Sequence, residues 1–119
     1  MNFHIKYNKV KDLVDNEYHL FDLILYPEFE CMIVNISFRT YDLECLEKST
    51  KSYLNSTNIN SIACDCFIIK NNELSFKSTA PNILTDIHIK ERSNINKFLQ
   101  ELLNSIKTEK LIDYIKIKN

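Results

Sequence analysis

The chain has 119 residues, a net charge of −1, 45% hydrophobic residues and 26% charged residues, a balance typical of a globular domain that needs no metal or disulfide staples. No apolar run approaches the roughly 20 residues of a membrane span, and the alternating first ten residues do not form a signal-peptide core, so we expect one cytoplasmic domain over residues 1–119. Glycine is absent, which excludes the usual glycine-dependent phosphate loops, dinucleotide fingerprints and nucleophile elbows.

Three strands are predicted in the first third of the chain. The first has alternating apolar residues at Phe3, Ile5 and Tyr7 and is followed by a polar loop over residues 9–16. Residues 17–26 are apolar on both faces, which predicts a central strand. The face that includes His19 also carries Phe21, Leu23 and Leu25. Residues 29–38 follow at hairpin distance as the third strand.

The apolar period then changes from two to that of a helix. We expect this helix to start after Thr40 or Asp42 and to end before the polar residues 55–60. Residues 61–70 predict one strand, Asn71 and Asn72 a tight turn with positive φ, and two more strands follow before residue 91.

The last predicted element is an amphipathic helix with Ser93 as its N-cap. Its apolar stripe consists of Ile95, Phe98, Leu99, Leu102, Leu103 and Ile106. Residues 108–119 fit either an edge strand or a helix, and we favour a helix that continues or restarts there.

The order of strand, charged turn, cap and helix occurs twice, in residues 36–54 and 87–106, at an offset of about 51 residues. We therefore predict an α+β fold built from two pseudo-duplicated strand–helix units. Their strands would form a strongly bent antiparallel sheet of about six strands, with a helix laid against each unit.

Cysteine and histidine often bind metal ions or take part in nucleophilic catalysis. In this chain neither residue type has the spacing that such a site usually shows. The cysteines are Cys31, Cys45, Cys64 and Cys66. We interpret them as free, small hydrophobic side chains, with Cys64 and Cys66 on one strand face beside Ile62 and Ile68. A zinc site with His4, His19 or His88 lacks the usual paired spacing. We expect His4 and His88 to face solvent, His19 to be hydrogen-bonded and half-buried, and no cofactor to be bound.

Charge is distributed unevenly. Residues 12–47 hold nine acids and one base, Arg39, a net of −8, so the remainder carries +7. The acids are Asp12, Asp15, Glu17, Asp22, Glu28, Glu30, Asp42, Glu44 and Glu47. Such a surface attracts basic partners and repels nucleic acid. Asp22 interrupts an apolar run, so we expect a hydrogen-bond donor beside it or a position at a sheet edge.

The pattern of strands, aspartate-leucine helix, loop, three strands and helix resembles the immunity proteins of contact-dependent growth inhibition that have a Whirly-like fold. Residues 17–106 carry the resemblance, in particular ISFRTYDLECLEKSTKSYL and CFIIKNNELSFKSTAPNILTDIHIKERSNINKFLQELL. It implies a cytoplasmic protein without catalytic activity that binds the C-terminal toxin domain of its cognate partner and blocks the active site or substrate path. Relatives with this layout usually place Gly or Asp in the central hairpin, and this chain has neither there.

Toxins of this kind are often nucleases with basic clefts, which would suit the acidic segment. The predicted contacts are its acids other than Asp22, together with aromatic anchors at Tyr18, Tyr26, Phe29 and Tyr41. Two alternatives stay open. Whirly-like sheets also bind single-stranded nucleic acid, and a small metal-dependent enzyme could use Cys64, Cys66 and a histidine. We expect neither a nucleic-acid nor a membrane partner.

Overall fold

The computed structural model describes residues 2–26, 34–77 and 88–118. These residues form an α+β fold, as predicted, in which three strands and a helix precede four strands and a second helix. The elements are β1 (Asn2–Lys11), β2 (Glu17–Tyr26), β3 (Val34–Thr40), α1 (Leu43–Asn55), β4 (Ile62–Ala63), β5 (Phe67–Lys70), β6 (Glu73–Phe76), β7 (His88–Lys90) and α2 (Arg92–Lys118). Neither helix has, in the part described, an apolar stretch long enough to cross a membrane.

The described strands form two antiparallel sheets, β1-β2-β3 and β4-β5-β6-β7, where the sequence predicted one bent sheet of about six strands. β2 lies in the middle of the first sheet, which confirms its central position, and its alternate residues from His19 to Leu25 are buried. β1 extends to Lys11, opposite Glu17. The loop predicted over residues 9–16 is therefore shorter, because its first three residues continue the ladder. Residues 29–33 of the predicted third strand lie outside the described residues.

The single strand predicted over residues 61–70 is wrong, because the chain reverses within it. β4 folds back on β5, with Ile62 opposite Ile69, and the bend lies at residues 64–66. Cys64 and Cys66 are buried in this bend, whereas Ile68 is 39% exposed. The expected position of both cysteines on the face of Ile68 is therefore wrong as well.

Backbone conformation marks the turn before β6 and the start of α2. Asn71 and Asn72 have φ values of 53° and 60°, which confirms the predicted turn. Ser93 is not the N-cap, since α2 already begins at Arg92. Glu91 precedes it with a φ of 72°, and its carbonyl accepts the first helical hydrogen bond from Ile95 N at 3.1 Å. The expectation that the helix continues beyond residue 107 is confirmed, because α2 reaches Lys118.

One contiguous core includes residues of both sheets and both helices. Phe98, on the predicted apolar stripe of α2, lies at its centre. Its ring centroid is 5.6 to 6.2 Å from the centroids of four other rings, two from each sheet: Phe3, Phe38, Phe67 and Phe76. α2 therefore ties the two sheets together, and their outer faces and strand ends remain as surface.

Candidate functional site

The structure brings five of the nine acids to one end of the first sheet. Asp12, Asp15 and Glu17 lie in and after the turn between β1 and β2, where β2 begins. Asp42 and Glu44 lie at the start of α1, directly after β3. Because β2 and β3 are antiparallel with His19 opposite Thr40, the start of β2 and the end of β3 are at the same end of the sheet.

Two tyrosines and an arginine form a cluster among these acids. The rings of Tyr18 and Tyr41 have centroids 5.6 Å apart. The guanidinium of Arg39 lies 5.4 Å from the centroid of Tyr18 and 5.9 Å from that of Tyr41. Tyr41 is 53% exposed. Tyrosine and arginine are the side chains that most often anchor protein interfaces, since they combine a large contact area with a polar group.

The backbone that carries Tyr41 is held in place by a carboxylate from the bend between β4 and β5. Asp65 Oδ2 accepts hydrogen bonds from Thr40 Oγ1 at 2.9 Å and from Tyr41 N at 3.0 Å. The Thr40 hydroxyl oxygen in turn accepts from Asp42 N at 3.1 Å. Asp42 caps α1 by accepting from Cys45 N at 3.0 Å, as predicted for a helix starting after this residue. These hydrogen bonds therefore hold the backbone at Tyr41 in place.

We refer to Asp12, Asp15, Glu17, Tyr18, Arg39, Tyr41, Asp42 and Glu44 as the acidic end. It holds five acids and one base, and Lys11 lies opposite Glu17 at its border. Tyr26 is not part of it, because this residue lies at the other end of β2, opposite Asn2. Eight residues of extended strand place it roughly 27 Å from Tyr18. The predicted contacts Glu28, Phe29 and Glu30 lie outside the described residues.

Glu47, also a predicted contact, is engaged within the chain. Its carboxylate is 2.6 Å from Lys110 Nζ on α2 and 4.0 Å from Lys51 Nζ, and only 17% of the side chain is exposed. Asp22 is satisfied as well, since it accepts from Ser37 Oγ at 2.6 Å. The donor expected beside Asp22 is thus a serine hydroxyl. Both carboxylates are therefore engaged by side chains of the domain itself.

His19 is buried, and its Nδ1 lies 2.5 Å from the Tyr7 hydroxyl, so the hydrogen-bonded position expected from the sequence is confirmed. Burial lowers the pKa of this imidazole from its ordinary value of 6.5, while the nearby carboxylates of Glu17 and Glu47 oppose the shift. Burial therefore favours the neutral form of this ring.

His88 is exposed as expected, but it does contact a possible nucleophile, which the sequence did not indicate. Its Nδ1 lies 2.9 Å from Ser75 Oγ and 3.2 Å from Glu73 Oε1 on neighbouring β6. A catalytic relay needs the serine and the carboxylate on opposite nitrogens of the ring. Here both meet the same nitrogen on an open sheet face, an arrangement suited to a surface hydrogen-bond and ion-pair cluster.

The two buried cysteines contact each other. Their mutual thiol hydrogen bond lowers the pKa of Cys64 and raises that of Cys66. This confirms buried free thiols at these two positions, whereas Cys45 is exposed, unlike the small core residue we expected. Within residues 2–26, 34–77 and 88–118, no three side chains of His, Cys, Asp or Glu are grouped so that they could hold a metal ion. Cys31 lies outside those ranges.

Sequence reasoning did not identify Arg39 or Asp65 as parts of the candidate site. The partners of Asp65 lie 24 and 25 residues before it in the chain, and Tyr18 contacts Arg39 from the neighbouring strand, so only the bend after β4 and the register of β2 with β3 bring these residues together. No protein family, curated protein or solved structure gives a match to the chain.

Proposed function

We propose that this protein is a cytoplasmic immunity protein of the contact-dependent growth inhibition type, which binds the C-terminal domain of a cognate toxin and neutralises it. The observation that supports the proposal is the acidic end, where five acids lie at the same end of the first sheet as the cluster of Tyr18, Arg39 and Tyr41. This surface combines charge with two aromatic side chains, Tyr41, which is exposed, and Tyr18, which is half-buried, and a hydrogen bond to Asp65 holds the backbone at Tyr41 in place.

The two features have different roles in binding. The carboxylates attract a basic surface over several ångströms, which accelerates encounter and selects the partner. The tyrosines and Arg39 then supply buried contact area, which slows dissociation. A nuclease with a basic substrate cleft is the toxin class that fits this chemistry. The acidic end would occupy that cleft and exclude nucleic acid without any bond being made or broken.

The order of elements supports the Whirly-like layout that the resemblance implies. Among the described residues, three antiparallel strands precede α1, and four more lie between α1 and α2. We propose that these are the two pseudo-duplicated units, with the second unit modified by the bend between β4 and β5 and by a longer helix.

The test uses the full chain and the toxin domain encoded by the adjacent gene. Size-exclusion chromatography should show a stable complex, and the purified protein should abolish the nuclease activity of that domain.

Association should slow as salt is raised, because exposed charges are screened. Glu44→Lys should slow it further, whereas Glu47 is already paired and is the less informative position. Absence of a complex, or full nuclease activity within one, would contradict the proposal. Low-salt binding of a single-stranded oligonucleotide would favour the nucleic-acid alternative.

A further inference from the structure

We infer that Leu13 and Val14, at the tip of the β1–β2 hairpin, insert into an apolar pocket with a basic rim on the partner protein. The inference rests on the proposed function and adds to it the anchor of the interface and the chemistry of the surface that receives it. It is carried by three observations on the tip: exposure, order and charge.

The first observation is exposure. Leu13 is 105% exposed and Val14 is 74% exposed, so the hairpin carries two aliphatic side chains into solvent at the end of the first sheet. Full burial of such a side chain in a partner contributes roughly 1.5 to 3 kcal/mol. The tip adjoins the acidic end, because Val10 and Tyr18 are paired across the same hairpin.

The second observation is that the turn is ordered by its own hydrogen bonds. Asp12 Oδ1 accepts from Val14 N at 3.0 Å and from Asn16 N at 2.9 Å. The backbone adds Asp12 N to Asn16 O at 3.0 Å and Asp15 N to Asp12 O at 3.1 Å, with Asp15 at a φ of 60°. A preordered turn loses little conformational entropy on binding, which is what an anchor requires.

The third observation is charge, and it indicates the kind of partner. Residues 12–17 contain Asp12, Asp15 and Glu17 and no base, although Lys11 lies opposite Glu17. An exposed Leu-Val pair could in principle enter a lipid bilayer. The three carboxylates would then be brought against anionic headgroups, which repel them. A protein pocket rimmed by Lys or Arg accepts both the aliphatic pair and the carboxylates around it.

The experiment measures the Kd of three proteins for the toxin domain of the adjacent gene. They are the wild type, the double variant Leu13→Ser/Val14→Ser, and the control Ile68→Ser, whose side chain is exposed on the other sheet. We expect the double variant to bind at least about 30-fold more weakly, the factor that corresponds to a 2 kcal/mol hot spot. The control should bind within about 2-fold of the wild type. The melting curve of the double variant should agree with that of the wild type, since no buried contact of the tip is removed.

Each outcome bears on a different claim. If the wild type binds and the double variant binds as well as the control, the anchor is overturned while the proposed function stands. If the wild type forms no complex, the proposed function fails and the anchor fails with it. Cosedimentation with phosphatidylglycerol or phosphatidylcholine vesicles should be absent. Vesicle binding that the double variant loses would overturn the inference in favour of a membrane.

Discussion

The guanidinium of Arg92, the first residue of α2, lies 4.1 Å from the ring centroid of Tyr53 on α1. From this position it donates hydrogen bonds to the carbonyls of Tyr53, Ser56 and Ile59, at 2.9, 2.7 and 3.0 Å. α1 ends at Asn55, and its C-cap, Ser56, has extended backbone rather than the left-handed residue, usually glycine, that commonly closes a helix. In a chain without glycine, an arginine of the second helix donates hydrogen bonds to carbonyls at and just after the end of the first helix.

Replacing Arg92 with lysine should reduce the free energy of unfolding by about 2 kcal/mol, because an ammonium cannot reproduce the planar set of donors. Urea unfolding followed by circular dichroism measures the change. Arg39→Lys is the matched control, since Arg39 stacks on two partly exposed rings and should change stability by less than about 1 kcal/mol. Equal effects of the two substitutions would show that Arg92 does not support α1.

Thr50 and Tyr53 are fully buried on α1, and Thr50 Oγ1 and the Tyr53 hydroxyl have no hydrogen-bond partner among the residues that the structure describes. A buried polar group without a partner is destabilising. Thr50→Val and Tyr53→Phe should therefore leave the free energy of unfolding unchanged or raise it by up to about 1 kcal/mol. Thermal melting tests this, and a loss above about 1 kcal/mol for either variant would indicate that the hydroxyl is paired.

His19 predicts a dependence of stability on pH. Burial lowers its pKa in the folded state below the ordinary 6.5, so the unfolded chain binds the proton more readily. Stability should fall as pH decreases below about 6.5, with a slope of at most about 1.4 kcal/mol per pH unit for one group. Urea unfolding at pH 7.5 and 5.5 measures the difference, which should shrink in His19→Gln. His4→Gln, at an exposed position of β1, should retain it.

Asp65 should affect both stability and partner binding, because it holds Thr40 and Tyr41 from the bend between β4 and β5. Asp65→Ala should reduce the free energy of unfolding by about 1 to 2 kcal/mol, since the buried Thr40 hydroxyl loses its acceptor. Asp65→Asn keeps an acceptor oxygen and should lose less. Toxin-domain binding, measured at a temperature where both variants are folded, should follow the same order. Identical behaviour of the two variants would mean that the hydrogen bonds at Asp65 do not position Tyr41.

Local patterns in the sequence predict most of the elements. The run over residues 17–26, apolar on both faces, gives the bounds of β2 as observed, and Asp42 is the N-cap of α1. Predictions are wrong where a distant contact overrides a local pattern. Ser93 is a good N-cap by type, but the turn at Glu91, whose N–H donates to Asn72 O, starts the helix earlier. Residues 61–70 look continuous, yet the bend at Asp65 divides them.

The candidate site is predictable only in part. The acidic segment is evident in the sequence, and five of its carboxylates do come together, but strand pairing decides which. Tyr18 and Tyr41 are in contact because β2 and β3 are antiparallel. Tyr26, at the last position of β2, therefore lies at the opposite end of the first sheet. Glu47 is not available to a partner in the same way, because Lys110, 63 residues away along the chain, donates a hydrogen bond to its carboxylate. The lysine is on α2, and only the packing of the helices reveals this contact.

The most direct test of binding through the acidic end compares Tyr41→Ala with Tyr26→Ala. Both tyrosines are exposed, at 53% and 43%, and they lie at opposite ends of the first sheet. Isothermal titration against the toxin domain should show at least about 30-fold weaker binding for Tyr41→Ala and a change within about 2-fold for Tyr26→Ala. Equal losses, or a larger loss for Tyr26→Ala, would contradict the account.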